Sequence, residues 1–251
     1  MLEVRGLSYS AGQRPVLQGI DLTLAANDFL LVFGRNGAGK STLLRLLAGR
    51  LRAGAGQVRL AGRDLGNYSR RELARHVSFL PQADEFSLPM LVSDVLLAGR
   101  YPYRSLFRGP SRLDIEALDA GVAQFGLEAL LLRNVQTLSG GERKKVLLAA
   151  AFIQDVPLIL LDEPLSFLDP GSAQQLTRML SGLHRGGRTI VVVSHEIERF
   201  FPLATRMLAL DAGRARYSGP RTSSTDLFCD VYGIPFQRIA AAGRELIIAD
   251  E

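Results

Sequence analysis

The octapeptide Gly34-Arg35-Asn36-Gly37-Ala38-Gly39-Lys40-Ser41 follows directly on the apolar run Phe29-Leu30-Leu31-Val32-Phe33 and constrains the fold more than any other stretch of this chain. It matches G-x-x-x-x-G-K-[ST], a loop set between a buried strand and the N-terminus of a helix, where bare backbone N–H groups and the helix dipole hold an anion. Both flanks are present: the run before Gly34 is apolar throughout, and Leu43, Leu44, Leu46 and Leu47 give a buried helical stripe that stops at Gly49. A glycine-rich turn without a ligand would need neither flank. The phosphate-binding set is therefore expected to run from Gly34 through Arg35, Asn36, Gly37, Ala38, Gly39 and Lys40 to Ser41 and Thr42. Lys40 is placed to reach the β and γ phosphates of a nucleotide and Ser41 to ligate Mg2+.

A second anion site is written downstream in Leu138-Ser139-Gly140-Gly141-Glu142. Ser139 with Glu142 three residues later is a capping box that opens a helix, and Leu138 is the apolar residue just outside it. Glycine is roughly 1 kcal/mol worse than alanine inside a helix. The pair Gly140 and Gly141 in the first turn therefore suggests that uncovered backbone is wanted there, as at any helix start that receives an anion. One molecule usually needs only one such start. A third word, Leu158-Ile159-Leu160-Leu161-Asp162-Glu163, reads as a buried strand that delivers two carboxylates to the C-terminal edge of a sheet, where doubly wound sheets bind ligands.

Between and around these words the hydrophobic period changes. Leu2–Val4, Ile20–Leu24 and Phe29–Phe33 read as strands, followed by further strands near Gln57–Leu60 and His76–Leu80. Over residues 88–155 the period is helical, with helices expected at Val92–Ala98, Leu113–Phe125 and Gly140–Ile153 and a C-cap at Gly126. From residue 156 strand and helix alternate again: Leu158–Leu161, a helix near Gly171–His184, Thr189–Val193, a short helix, and Met207–Leu210. That alternation implies a parallel sheet covered on both faces. In the last forty residues only a helix at Asp226–Tyr232 and a strand at Glu245–Ile248 stand out.

The chain has 251 residues, of which 47% are apolar, enough for a buried core. Its longest apolar run, Val146–Ile153, falls far short of the roughly 20 residues a membrane-spanning helix needs. No secretory signal is visible at Met1-Leu2-Glu3-Val4-Arg5, and the single Cys229 cannot form an internal disulfide, so a reducing, cytosolic setting is expected. The formal net charge of +5 comes from scattered arginines without a basic tract or aromatic-interleaved basic strand, so nucleic acid is not an expected partner.

The phosphate loop, the Leu-Ser-Gly-Gly-Glu word and the acid-tipped strand, in this order, resemble the ATP-binding cassette (ABC) ATPases. The resemblance implies an α/β fold: a P-loop NTPase with a RecA-like core, an N-terminal antiparallel β subdomain and an inserted α-helical subdomain. Residues 1–251 then form a single nucleotide-binding domain, with residues 1–87 and 156–212 as core and β subdomain, 88–155 as the helical subdomain and 213–251 as a C-terminal extension. It implies ATP hydrolysis with Mg2+ as cofactor. Tyr9 would stack on adenine, Gln82 would sense Mg2+ and the hydrolytic water, Asp162 would hold Mg2+ and Glu163 would polarise that water. Asp169, ending Ser166-Phe167-Leu168-Asp169, belongs to the D-loop at the dimer interface, and His195 is the switch histidine at the γ-phosphate. In this family two subunits dimerise head to tail, so that Ser139, Gly140 and Gly141 of one complete the ATP site of the other. Glu196 after the histidine, Leu165 before the D-loop and Lys144-Lys145 after the signature depart from the common residues.

Gly99-Arg100-Tyr101-Pro102 and Val231-Tyr232-Gly233-Ile234-Pro235 are similar to segments of the ATPases that serve importers of iron-siderophore complexes, haem and vitamin B12. That resemblance implies a second ABC subunit, an identical copy in the simplest case, and polytopic permease subunits whose coupling helix docks along Gln82–Pro110. It also implies a substrate-binding protein as an indirect partner and a peripheral location on the cytoplasmic face of the inner membrane. An exporter ATPase is the competing assignment. A soluble ABC protein acting on DNA would carry long heptads between the motif halves, and none are present.

Overall fold

A computed structural model describes residues 1–82, 89–104, 109–241 and 244–250. The chain runs β1 (Leu2–Ala11), β2 (Arg14–Leu24), β3 (Phe29–Gly34), α1 (Lys40–Leu47), β4 (Ala55–Leu60), β5 (Arg63–Asp64), α2 (Arg70–Leu73), β6 (Val77–Leu80), α3 (Val92–Ala98), α4 (Arg112–Phe125) and α5 (Gly140–Ile153). It continues through β7 (Leu158–Asp162), α6 (Pro170–Arg185), β8 (Thr189–Val193), α7 (Ile197–Phe200), β9 (Arg206–Asp211), β10 (Arg214–Pro220), α8 (Thr225–Tyr232), β11 (Phe236–Ala241) and β12 (Arg244–Ala249).

Three sheets form. An antiparallel sheet has the order β2-β1-β4-β5, the core sheet the order β10-β9-β3-β8-β7-β6, and β11 and β12 make a separate hairpin. In the core sheet β9, β3, β8, β7 and β6 are parallel and β10 closes one edge antiparallel to β9. The sheet therefore takes an edge strand from the stretch read in the sequence as the C-terminal extension. The mixed α/β architecture is the one the motifs imply.

The continuous apolar strands are explained by burial on both faces. Successive side chains of a strand point to opposite sides. On β3, Leu30 and Val32 join β1, β2 and α1 in one core, while Phe29, Leu31 and Phe33 join α5, α6 and α8 in the other. Strands β7 and β8 divide in the same way, Leu158 and Leu160 going to the first core and Ile159 and Leu161 to the second. The second core continues into the helices α3, α4 and α5 through Val95, Leu96, Phe125, Val146 and Ile153. Gly126 ends α4 with φ 55°, the left-handed cap its position suggests.

The segment Gly99–Pro110, read as contact surface, has a divided role. The Arg100 guanidinium is mostly buried: its Nε donates to Asp114 Oδ1 at 3.0 Å and its Nη1 to the Ile153 carbonyl at 3.1 Å, tying α3, α4 and α5 together. Tyr101 and Tyr103 stay exposed. Residues 83–88 and 105–108 of the expected Gln82–Pro110 groove lie outside the described residues.

Asp114 is 3% exposed and also forms the capping box of α4 with Ser111. Asp114→Ala strands the Arg100 cation in a largely desolvated place and should cost about 3 kcal/mol in urea unfolding. Asp114→Asn, which can still cap, should cost less.

Candidate active site

Helix α1 begins without a side-chain cap. Its N-cap is Gly39 at φ 97°, with no acidic residue in the first turn, so the helix's own first turn carries nothing that offsets the positive end of its dipole. A Cβ on Gly39 would stand 2.6 Å from the Leu17 side chain and 3.0 Å from the Val16 carbonyl oxygen. Glycine is thus required there twice, by the left-handed backbone and by the approach of β2.

Lys40 is 7% exposed. Its Nζ donates to the Gly34 carbonyl at 2.7 Å and the Arg35 carbonyl at 3.1 Å, and lies 3.4 Å from His195 Nε2. Burial pulls the ammonium below its ordinary value, against the opposing pull of Glu163 and Asp162. Ser41 Oγ donates to Asp162 Oδ1 at 3.0 Å, joining the start of α1 to the end of β7. Asp162 is 2% exposed, and burial raises its carboxyl despite the Ser41 hydrogen bond.

Glu163 follows at φ 47°, left-handed for a residue with a side chain, and its N–H donates to the Val193 carbonyl at 2.9 Å. Sparsely populated backbone of this kind costs on the order of 1–3 kcal/mol and persists only where neighbours hold it. Here β8 does so, and the turn aims the carboxylate at His195. Glu163 Oε2 accepts the His195 backbone N–H at 3.3 Å, and Oε1 lies 3.3 Å from His195 Nε2. Burial pushes the Glu163 carboxyl up to about 7, outweighing the His195 N–H and Lys40, while Asp162 and Glu196 push the same way. The His195 imidazole is lowered, first by burial and then by the Lys40 charge.

These groups line a cleft of about 640 Å³ formed by Ala11, Arg14, Pro15, Val16, the loop from Asn36 to Thr42, Gln82, Glu163, His195, Ala212 and Gly213. Gly34 and Arg35 hold Lys40 from behind through their carbonyls. Gln82 reaches the cleft as an exposed side chain. Tyr9 does not line it. It pairs with Leu17 across the β1–β2 hairpin, where register shifts on either side of it break the regular alternation, and packs half-buried against the core under α1. Ala11 and Arg14, flanking the hairpin turn, hold the outer wall instead. Arg14, Pro15 and the β9–β10 turn at Ala212 and Gly213 were not legible as site residues. Their only sequence signal is position, at the ends of strands that enter the loop's neighbourhood.

Ser139, Gly140, Gly141 and Asp169 are also outside this cleft. Ser139 and Glu142 form the expected capping box, with Ser139 Oγ accepting the Glu142 N–H at 3.2 Å and Glu142 Oε2 accepting the Ser139 N–H at 2.9 Å. A Cβ on Gly140 would meet nothing within 4 Å, so its backbone is open. A Cβ on Gly141 would stand 2.9 Å from Ser172 Oγ, so this glycine lets α5 approach α6. Asp169 is the N-cap of α6, its Oδ1 accepting the N–H groups of Gly171 at 2.9 Å and Ser172 at 3.0 Å. Lys144, a departure in the sequence, is buried and its Nζ donates to the Ser166 carbonyl, linking the signature helix to the D-loop. Phe167 in that loop is 97% exposed with φ 64°.

No described helix is long and apolar enough to cross a membrane, and the described residues hold no cluster of three or more His, Cys, Asp or Glu that could bind a metal by itself.

The ABC transporter family model matches residues 17–166. The hemin import ATP-binding protein HmuV of Nocardia farcinica is 36% identical over 99% of this chain and 86% of its own length. The petrobactin import ATP-binding protein FpuC of Bacillus anthracis is 30% identical over 93% of this chain and 87% of its own. Among solved structures, an inward-facing conformation of a metal-chelate type ABC transporter superimposes with a TM-score of 0.85 at 26% identity, covering 100% of this chain and 97% of the other.

The Glu163 environment sets a pH dependence of stability. A carboxyl whose folded-state value is raised favours the folded state fully below its unfolded value, and that contribution is lost as pH rises through about 7. Glu163→Gln, neutral throughout, escapes the loss. Its thermal midpoint should gain on the unaltered protein by a few degrees between pH 5 and pH 8, measured by calorimetry.

Proposed function

This chain belongs to the ABC transporter family, and we propose that it is the ATP-hydrolysing subunit of an importer for a metal chelate, of the haem or iron-siderophore type. What carries the substrate class is the near full-length similarity to hemin and petrobactin import ATP-binding proteins. What supports the mechanism is the separation of two helix starts, the one at Gly39 lining the cleft and the one at Ser139 lying outside it.

In this reading the triphosphate lies on the N-terminus of α1. Lys40 exchanges the Gly34 and Arg35 carbonyls for β- and γ-phosphate oxygens, which are stronger acceptors for an ammonium. Ser41 and Asp162 supply a hydroxyl and a carboxylate 3.0 Å apart, a donor pair that suits Mg2+ when the remaining ligands are phosphates and water. Mg2+ bound there would neutralise charge on the β and γ phosphates. Glu163 takes a proton from the attacking water as its oxygen bonds to the γ-phosphorus and the bond to the β–γ bridging oxygen breaks. A carboxyl raised to about 7 is a stronger base than an ordinary glutamate and is still substantially ionised at neutral pH. His195, beside both Glu163 and Lys40, is placed to contact the γ-phosphate, and Gln82 lines the same cleft.

The base of the nucleotide rests against Ala11, Arg14, Pro15 and Val16, with the Arg14 guanidinium as the group able to stack on it. A second copy of the chain brings Ser139, Gly140 and Gly141 to the γ-phosphate, so closure of the pair follows ATP and reopening follows hydrolysis. The surface from Gln82 to Pro110, where Tyr101 and Tyr103 are exposed, receives the permease. That contact, with a substrate-binding protein beyond the permease, holds the subunit at the cytoplasmic face of the membrane.

Glu163→Gln should keep ATP binding while kcat falls by about 10²–10⁴, and gel filtration with ATP should show dimers. Unchanged turnover, or monomers alone, would contradict the assignment. Arg14→Ala should raise the KM for ATP about fivefold with kcat held, a larger effect on KM than that of Tyr9→Ala in the same steady-state assay.

A further inference from the structure

The C-terminal helix reaches the phosphate loop. Phe228 of α8 is fully buried and stacks on Phe33 with ring centroids 4.9 Å apart. One helical turn on, Tyr232 lies nearly parallel to Phe33 at 6.3 Å and packs on Phe236 at 5.5 Å. This aromatic stack places the Tyr232 phenol oxygen where it accepts the Gly34 N–H at 3.2 Å.

Gly34 is the residue at which β3 becomes the loop. Alternate residues of β3 face β8, as the bonds of Ile190 N–H to the Asp28 carbonyl and Ser194 N–H to the Val32 carbonyl show. Gly34 is next in that series, and β8 has ended at Val193. The phenol stands in for the missing strand. The Gly34 carbonyl meanwhile accepts from Lys40 at 2.7 Å, so both backbone groups of the residue are held by side chains, one of them from the far end of the sequence. Burial pushes the Tyr232 phenol up to about 12, against the Gly34 N–H and with the Glu163 charge, so it remains a neutral hydroxyl at any pH where the protein works.

We propose that Tyr232 is a positioning residue for nucleotide binding: by accepting the Gly34 N–H it fixes the start of the phosphate loop and ties the loop's grip on phosphate to the seating of α8. The proposal rests on the reading that this loop binds ATP. It differs from a packing role for the ring, because a ring alone would satisfy Phe33 and Phe236.

Tyr232→Phe separates the two, since it keeps the stack and removes only the hydroxyl. With ATP as the probe in calorimetric titration, the variant should bind about fivefold more weakly, the loss expected for one backbone hydrogen bond. The Gly34 amide should exchange faster with solvent in NMR, and the thermal midpoint without nucleotide should stay within a few degrees. Equal affinity and equal Gly34 exchange in the two proteins would overturn the proposal. So would weaker binding accompanied by faster exchange throughout α8, which would assign the phenol to packing. Failure of the unaltered protein to bind ATP would overturn the loop reading beneath it.

Discussion

An uncapped helix N-terminus at the end of a fully buried strand is the constraint on which this structure depends. β3 is buried at every residue, and α1 starts six residues after it with no side-chain cap and no acid in its first turn. Such an end is unfavourable unless an anion meets it. The surrounding architecture serves to hold it in place: β2 presses Leu17 and Val16 against Gly39, β7 delivers Asp162 to Ser41, and the end of β8 sets His195 beside Lys40.

The same place concentrates charges that the fold would otherwise avoid. Lys40, Asp162 and Glu163 are all below a tenth exposed, and each has its ordinary ionisation disturbed first by burial. Groups so disturbed, with Lys40 and Glu163 lining one cleft and Asp162 bonded to Ser41 at its wall, fit a site where proton affinity is adjusted for chemistry. The left-handed backbone at Glu163 belongs to the same pattern: local strain is tolerated where it aims the carboxylate at His195. The second helix start, capped by Ser139 and Glu142, lies outside this cleft, which is why the proposed mechanism assigns it to the site of a second copy.

The sequence made the core sheet and the loop legible because their signals are local. A strand buried on both faces has to be apolar at every position, so Phe29–Phe33, Leu158–Leu161 and Thr189–Val193 declare themselves, and the capping box at Ser139 is written in four residues. Edge strand β10 was not legible, since Arg214-Ala215-Arg216-Tyr217-Ser218-Gly219-Pro220 is mostly exposed and carries no alternation. Tyr9 sits in a hairpin whose register is irregular between Val4 and Ser10, and sequence position alone could not say which way it faces. Arg100 looked like surface because its partner Asp114 lies fourteen positions on, in the first turn of α4. Tyr232 reaches Gly34 across 198 positions, a distance that no local pattern spans.

The central claim is that this cassette works against a membrane permease that admits a metal chelate. Affinity purification of a tagged Glu163→Gln chain from native membranes, in mild detergent with ATP and followed by mass spectrometry, tests it most directly. The account predicts co-recovery of a polytopic permease encoded beside a substrate-binding protein. Recovery with no membrane partner, or with ribosomal or DNA-repair proteins, would contradict it and leave an ATPase without a transporter.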